Sequence, residues 1–233
     1  MLEHLIAVMF SPEWLAALSG IILLDLVLSG DNAILIALAC KNLPEHNRGK
    51  AILIGGMGAV FIRVICTLFA TGLLSLPYLE AIGGALLLYI AVKLLTDHKG
   101  GSQSSEAPAS FLAAIRTILV ADFVMSIDNV LSLAGVANTV PDGKWSLIIC
   151  GLLISIPIVL FGAQFFLLLM KKIPALIYAG AALLGYTAAE LIAADKGIGS
   201  HMEPYALFMK IGFVVLVLGI GYYLNHRSKA VNA

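Results

Sequence analysis

The stretch DLVLSGDNA at residues 25–33 recurs at residues 122–130 as DFVMSIDNV, an offset of 97 positions. Across residues 25–37 and 122–134, six of thirteen positions are identical. Both copies lie inside long apolar segments, where a carboxylate is energetically expensive and usually functional. A duplicated set of such carboxylates predicts one site built by the two halves of a transporter.

The composition indicates a membrane protein. The chain has 233 residues, of which 61% are hydrophobic and 12% charged, and its mean hydropathy is +1.01. Soluble domains carry about a quarter charged residues, so we expect the lipid bilayer to be the main partner of this surface. Equal numbers of basic and acidic residues, fourteen each, give no reason to expect nucleic acid or another polyanion as a partner.

Cysteine usage and the start of the chain are both consistent with that class. The three cysteines are isolated in or at the end of apolar segments, without CxxC or Cys/His spacing, so we expect no thiolate metal site. Residues 1–10 lack the basic start of a removable signal peptide. The first spanning helix is therefore expected to act as an uncleaved targeting signal.

Seven segments reach the roughly 20 apolar residues that a membrane span requires. The sequence thus predicts an all-α membrane protein with seven transmembrane helices. The predicted spans are Trp14–Cys40, Lys50–Ser75, Tyr78–Thr96, Phe111–Ala137, Trp145–Met170, Pro174–Ala194 and Tyr205–Asn225.

Lysine and arginine predict the orientation of these spans. With the N-terminus outside, ten basic residues fall on the cytoplasmic side and three, Lys144, Lys196 and Lys210, on the outer side, while Arg63 stays in the membrane. We therefore expect the N-terminus outside and the C-terminus in the cytoplasm.

The repeat extends beyond the acidic motif without a gap. Residues 83–95 and 180–192 share seven of thirteen positions, and Pro44 aligns with Pro141. Each unit holds three spans, so the second must enter the membrane from the opposite side, which predicts a 3+3 inverted repeat plus one extra C-terminal helix. The predicted organisation is an N-terminal repeat at 1–97, a flexible cytoplasmic linker at 98–110, an inverted repeat at 111–195, and a seventh helix with a cytoplasmic tail at 196–233.

Each acidic motif carries oxygen ligands on one helix face. Asp, Ser and Asn recur at i, i+4 and i+7, and the second Asp lies about 120° round an ideal helix. Gly30 would let the first copy bend and bring Asp31 in, whereas Ile127 makes a bend in the second copy less expected. The candidate metal ligands are Asp25, Asp31, Asn32, Asp122, Asp128 and Asn129.

This set of carboxylate and amide oxygens suits a hard divalent cation. Mn²⁺, Mg²⁺ and Ca²⁺ prefer such ligands, whereas Zn²⁺ and Cu⁺ prefer nitrogen and sulfur. We expect the cation to be cargo, with no tightly bound cofactor and no catalytic residue. Interhelical hydrogen bonding by the same polar residues is the structural alternative.

Arg63 is a further charge in the middle of a span, and its repeat counterpart is Leu160. An isolated arginine at this depth would be costly, so we expect it to pair with one of the aspartates. Two interpretations stay open: Arg63 holds the carboxylates when the cation is absent, or it is a fixed counter-ion without a transport role. The glycines of the second, third and sixth spans predict close helix packing.

The paired Asp-Asn motifs in a seven-span 3+3 chain resemble the TerC family of integral membrane proteins, most closely its shorter bacterial branch (YjbE/YkoY-like). The resemblance covers nearly the whole chain and extends in organisation to the LysE-type transporter superfamily. It implies a bacterial inner-membrane protein that exports Mn²⁺. Family members often carry Glu where this chain has Asp25, so a shorter carboxylate here changes the reach of the site.

Manganese efflux through a shared acidic site is therefore the leading prediction, with Mn²⁺ favoured and Ca²⁺ or Mg²⁺ as alternatives. Efflux of an amino acid or another small solute, as in LysE-type exporters, is the second. An intramembrane aspartyl protease would need only Asp31 and Asp128 as a dyad, which leaves the repeated Ser and Asn residues unexplained. The fourth predicted function is that of a non-transporting partner of other membrane proteins. Formation of a homo-oligomer is left open.

Overall fold

The computed structural model describes residues 8–69, 76–96 and 110–231, except for the side chains of Asp128, Leu131 and residues 225–231. Within this part of the chain all regular structure is helical. The helices are α1 Pro12–Leu28, α2 Gly30–Cys40, α3 Glu45–Leu68, α4 Leu79–Thr96, α5 Phe111–Ala137, α6 Lys144–Lys172, α7 Ala175–Ala194, α8 Gly199–Met202 and α9 Ala206–Val231.

Five segments of the described chain are long and apolar enough to cross a membrane: α3, α4, α6 with its preceding turn, α7, and the segment Gly199–Leu224 that includes most of α9. The pair α1 and α2, bent by 46°, passes the same criterion together and makes a sixth. Helix α5 coincides with the predicted fourth span but is not among the six. The chain is thus a multi-pass helical membrane protein with five to six candidate spans.

Each of the seven predicted segments overlaps a helix. The second begins earlier than expected, at Glu45 rather than Lys50. Its predicted end at Ser75 lies outside the described residues, as does the linker at 98–110 apart from Ser110.

Helix starts follow from capping and proline chemistry. The Ser11 hydroxyl accepts a hydrogen bond from the Trp14 backbone N–H at 3.1 Å, and Pro12 occupies the first turn of α1. Pro44 and Pro174 stand immediately before α3 and α7, where a proline disturbs no helical hydrogen bond. Capping and proline chemistry therefore account for the starts of these three helices.

The spans pack in three main pairs. Helix α6 packs against both α1 and α2, α3 packs against α5, and α4 packs against α7. Helix α9 lies outside the pair α4 and α7 and is mostly exposed. Large apolar side chains such as Val27, Phe161 and Phe208 point outward with more than two thirds of their surface exposed. This outer surface suits lipid rather than water.

Glycines allow these helices to approach closely, as the sequence predicts. A Cβ atom at Gly55 would come within 2.7 Å of Ile118, and one at Gly83 within 2.9 Å of Val124. Across the repeat, a Cβ at Gly180 would come within 2.7 Å of Ile34. Small residues therefore set the distances between the spans that surround the acidic motifs.

Gly84→Ala should destabilise the protein, because its new Cβ would lie 2.5 Å from the backbone oxygen of Ala188 and 2.7 Å from Ile192. A backbone atom cannot move aside as a side chain can, so we expect a loss of about 1–3 kcal/mol. Gly219→Ala is the matched control, since a Cβ there meets nothing within 4 Å. Thermal unfolding in detergent measures both, and equal melting temperatures would contradict the prediction.

Asp195 ties the end of α7 to the start of α4. This buried carboxylate accepts hydrogen bonds from the backbone N–H groups of Tyr78 at 3.3 Å, Ala81 at 3.1 Å, Gly197 at 2.7 Å and Ile198 at 3.2 Å. Burial alone would raise the pKa of Asp195, but these four donors outweigh it and hold the pKa below its ordinary value.

Asp195→Ala should lower the stability by about 2 kcal/mol at neutral pH, because four partly buried backbone N–H groups lose their acceptor. A carboxylate whose pKa is depressed by folding stabilises the fold fully above its unfolded pKa of about 3.9, and this contribution disappears as the pH falls through the lower folded value. The melting difference between wild type and variant should therefore shrink below about pH 4. Asp142→Ala, at an exposed turn, is the control. A difference that stays constant with pH would contradict this assignment.

Candidate functional site

The first acidic motif spans a break in the helix, and the second does not. Helix α1 ends at Leu28, α2 begins at Gly30, and Ser29 between them has φ −106° and ψ 6°. Helix α5 continues without a break through the whole second motif. The expected bend in the first copy is thus present. It does not depend on glycine sterics, because no described glycine has a positive φ and a Cβ at Gly30 would meet no atom within 4 Å.

Arg63 of α3 bridges the two motifs. Its Nη1 lies 2.5 Å from Asp25 Oδ1 of α1, and its Nη2 lies 3.2 Å from Asp122 Oδ1 of α5. All three side chains are at least 96% buried. Pairing with an aspartate is confirmed, and it goes further than expected, because the guanidinium binds the equivalent carboxylate of each motif.

The motif serines complete the same cluster. Ser29 Oγ accepts from Arg63 Nη1 at 2.7 Å and donates to Asp25 Oδ1 at 3.1 Å. Ser126 Oγ accepts from Arg63 Nε at 3.4 Å and donates to Asp122 Oδ2 at 3.2 Å. The i, i+4 spacing of Asp and Ser thus gives the two motifs the same local arrangement around one shared cation.

The asparagines differ between the copies. Asn32 is buried, yet neither its Oδ1 nor its Nδ2 has a hydrogen-bond partner among the described residues. Asn129 Nδ2 donates to the Leu28 carbonyl across the bend at 3.5 Å. Asp25 Oδ2 is likewise buried and has no hydrogen-bond partner in the described part of the chain. Buried polar atoms without partners are uncommon, and each needs a physical explanation.

A small cavity adjoins this cluster. Its polar lining comes from Asp25, Asn32, Arg63, Asp122 and Ser155, and Leu160 is part of its apolar wall. The space open to the centre of a water molecule is about 20 Å³, which is room for about one water or a cation of similar size. The repeat counterpart of Arg63 therefore faces the same space without a charge.

The second aspartate of each motif lies differently. The partly buried Asp31 accepts a hydrogen bond from the Asn32 backbone N–H at 2.9 Å, where a negative charge suits the start of α2. The backbone of Asp128 belongs to α5, and its side chain lies outside the described part.

The structure brings three of the six predicted ligands, Asp25, Asn32 and Asp122, to one cavity. Among the described side chains, no three Asp, Glu, His or Cys residues lie close enough together to hold a metal ion. Sequence reasoning missed Ser155 as a lining residue, although a serine inside an apolar helix is a usable signal.

The fold and this buried charge cluster define a multi-pass helical membrane protein. The profile of the "Integral membrane protein TerC family" matches residues 10–232, and the chain belongs to this family. The expected family is confirmed, and two Bacillus subtilis proteins are similar to the chain. "Uncharacterized membrane protein YjbE" is 38% identical over 210 residues, covering 88% of this chain and 94% of that protein. "Uncharacterized membrane protein YkoY" is 27% identical, covering 72% of this chain and 56% of that protein.

A more distant relative is named as an inner membrane protein, which is the location predicted for this chain. The "UPF0053 inner membrane protein YoaE" of Escherichia coli is 24% identical over 90% of this chain and 43% of that protein. No solved structure matches the chain.

Proposed function

We propose that this protein is a secondary transporter of a divalent metal cation and that it exports Mn²⁺ by alternating access. The observation that carries the proposal is that Asp25 and Asp122, equivalent residues of the two repeated motifs, bind the same arginine and line the same cavity. Buried carboxylates in a membrane protein are costly and mark ion pathways. A site shared by two halves can open to either side when the halves move relative to each other.

The helix packing supports an inverted repeat of seven spans with α5 as the fourth. The first span, α1 with α2, packs on the fifth, α6, as the fourth packs on the second, α3. The third span, α4, packs on the sixth, α7. Exchanging the two halves therefore converts the contact of the first and fifth spans into that of the fourth and second, and leaves the contact of the third and sixth spans unchanged. The orientation with the N-terminus outside and the location in a bacterial inner membrane belong to the same proposal.

The size and chemistry of the cavity favour a cation over a larger solute. About 20 Å³ suits one dehydrated ion, whereas an amino acid would need the site to expand substantially. The lining oxygens are hard ligands, suited to Mn²⁺, Ca²⁺ or Mg²⁺. We therefore place amino-acid export of the LysE type second, and the proposal includes no enzymatic step.

The test is cellular manganese under Mn²⁺ challenge in a strain that lacks its own exporter. Cells expressing the intact chain should hold several-fold less Mn²⁺ than cells with an empty vector. Asp122→Asn should abolish most of this difference, because the amide removes one charge from the shared pair.

Asp142→Asn, an exposed carboxylate in a turn, serves as the matched control and should behave like the intact chain. Membrane insertion of each variant is checked by fractionation. If the inserted intact chain leaves cellular Mn²⁺ at the vector level, manganese efflux is wrong. Parallel measurements of Ca²⁺, Mg²⁺ and exported amino acids then decide among the alternatives.

A further inference from the structure

We propose that Arg63 is a tethered cation that neutralises the carboxylate pair of the empty carrier, and that the cargo cation binds by displacing its guanidinium group. This inference rests on the proposed cation transport. It concerns how the same site changes between its empty and loaded states.

Arg63 would compete with the cargo cation for the same ligands. Arg63 contacts oxygen atoms of Asp25, Ser29, Asp122 and Ser126. These are the oxygens that a hard cation in the shared site would need, and such ions take about six of them. Among the described residues of this cluster, the fully buried oxygens without a hydrogen-bond partner are Asp25 Oδ2 and Asn32 Oδ1. Two such oxygens fall short of six, so a cation that binds through both shared carboxylates competes with the guanidinium for the Oδ1 atoms of Asp25 and Asp122.

The charge of Arg63 also opposes simultaneous binding of a second cation. An arginine stays protonated in proteins, so its charge cannot be removed to make room for a second cation. A divalent cation in the cavity would lie beside a buried guanidinium where water screens little. Repulsion between the two favours exchange of one for the other.

The two repeats differ at the position of Arg63. Arg63 stands on α3, while its counterpart Leu160 on α6 faces the same cavity. The two motifs are otherwise matched in their Asp and Ser contacts. One counter-ion thus serves both halves. Since an exporter must return without cargo, such a counter-ion would hold the empty carboxylates together during that step.

The experiment compares purified full-length protein with Arg63→Ala, Arg63→Lys and the control Leu160→Ala. Leu160→Ala opens space in the same cavity without removing a charge. Equilibrium binding of Mn²⁺ is measured with and without low millimolar guanidinium chloride, against equal NaCl. Arg63→Ala should bind Mn²⁺ about tenfold more tightly than wild type. Added guanidinium should weaken Mn²⁺ binding to Arg63→Ala while leaving wild type and Leu160→Ala unchanged.

Arg63→Lys keeps the proposal testable if the alanine variant does not fold. Lysine keeps the charge but has one nitrogen and cannot bind two carboxylates through separate nitrogen atoms. The Mn²⁺ affinity of Arg63→Lys should therefore lie between those of wild type and Arg63→Ala. Equal or weaker Mn²⁺ binding in the Arg63 variants than in wild type, or no effect of guanidinium on Arg63→Ala, overturns displacement and leaves cation transport standing. Absence of Mn²⁺ binding from every form, wild type included, overturns both proposals.

Discussion

Arg63→Leu should be the most destabilising single substitution at the site when no divalent cation is present. It leaves Asp25 and Asp122, each at least 96% buried, without their shared counter-ion. Removing one partner of a buried ion pair costs about 3–5 kcal/mol, because the remaining charge stays desolvated. Thermal unfolding of the purified protein in the presence of EDTA measures the effect. Adding Mn²⁺ should then raise the melting temperature of the variant more than that of wild type.

The combined variant Arg63→Leu/Asp25→Asn/Asp122→Asn separates charge from packing. If unpaired charge causes the loss, neutralising both carboxylates should recover most of the stability, since a buried ionic cluster replaced as a whole is often tolerated. Leu160→Ala controls for empty space in the same cavity. A combined variant as unstable as Arg63→Leu would show that the guanidinium stabilises by packing rather than by charge.

The sequence predicts the helices well because membrane spans are set by length and hydropathy. All seven predicted segments overlap helices, including the C-terminal segment around Val217, which packs on Gly185. The boundary error at Glu45 has a local cause. The helix begins directly after Pro44, whereas the apolar stretch that predicts the span begins only after the polar residues that follow.

The acidic cluster could be predicted only in part. Periodicity places Asp25 with Ser29 and Asp122 with Ser126, and these contacts are present. Nothing in the sequence shows that Arg63 reaches both carboxylates, because this depends on how closely α3 approaches α1 and α5. The glycines of α3 indicate close packing, but they do not identify which side chains come into contact there.

The bend at Ser29 shows a further limit of sequence reasoning. Gly30 predicts a break at the right place, but its conformation is accessible to any residue, so glycine is not required for the bend. Gly30→Ala should therefore leave stability and Mn²⁺ efflux close to wild type. The bend instead comes with a changed set of partners, in which Asp31 accepts from Asn32 and the Leu28 carbonyl accepts from Asn129.

Asn32→Leu should stabilise the fold and abolish Mn²⁺ efflux. The two polar atoms of the Asn32 side chain are buried and have no hydrogen-bond partner within the part of the chain that the structure describes, and each such atom costs about 1–3 kcal/mol. Leucine has a similar size and needs no hydrogen bond, so the melting temperature should rise. The cavity would lose its amide oxygen, and efflux in the manganese assay should fall to the vector level. A gain in stability with a loss of activity is the signature of a residue kept for function.

Asn129→Leu is the matched control because it makes the same chemical change at the equivalent position of the second motif. Its amide donates to the Leu28 carbonyl, so its loss should lower the melting temperature rather than raise it. If Asn32→Leu instead loses as much stability as Asn129→Leu while Mn²⁺ efflux continues, the Asn32 amide has a structural role. Opposite signs of the two changes in melting temperature therefore distinguish a side chain that serves as a ligand for the transported cation from one that forms an interhelical hydrogen bond.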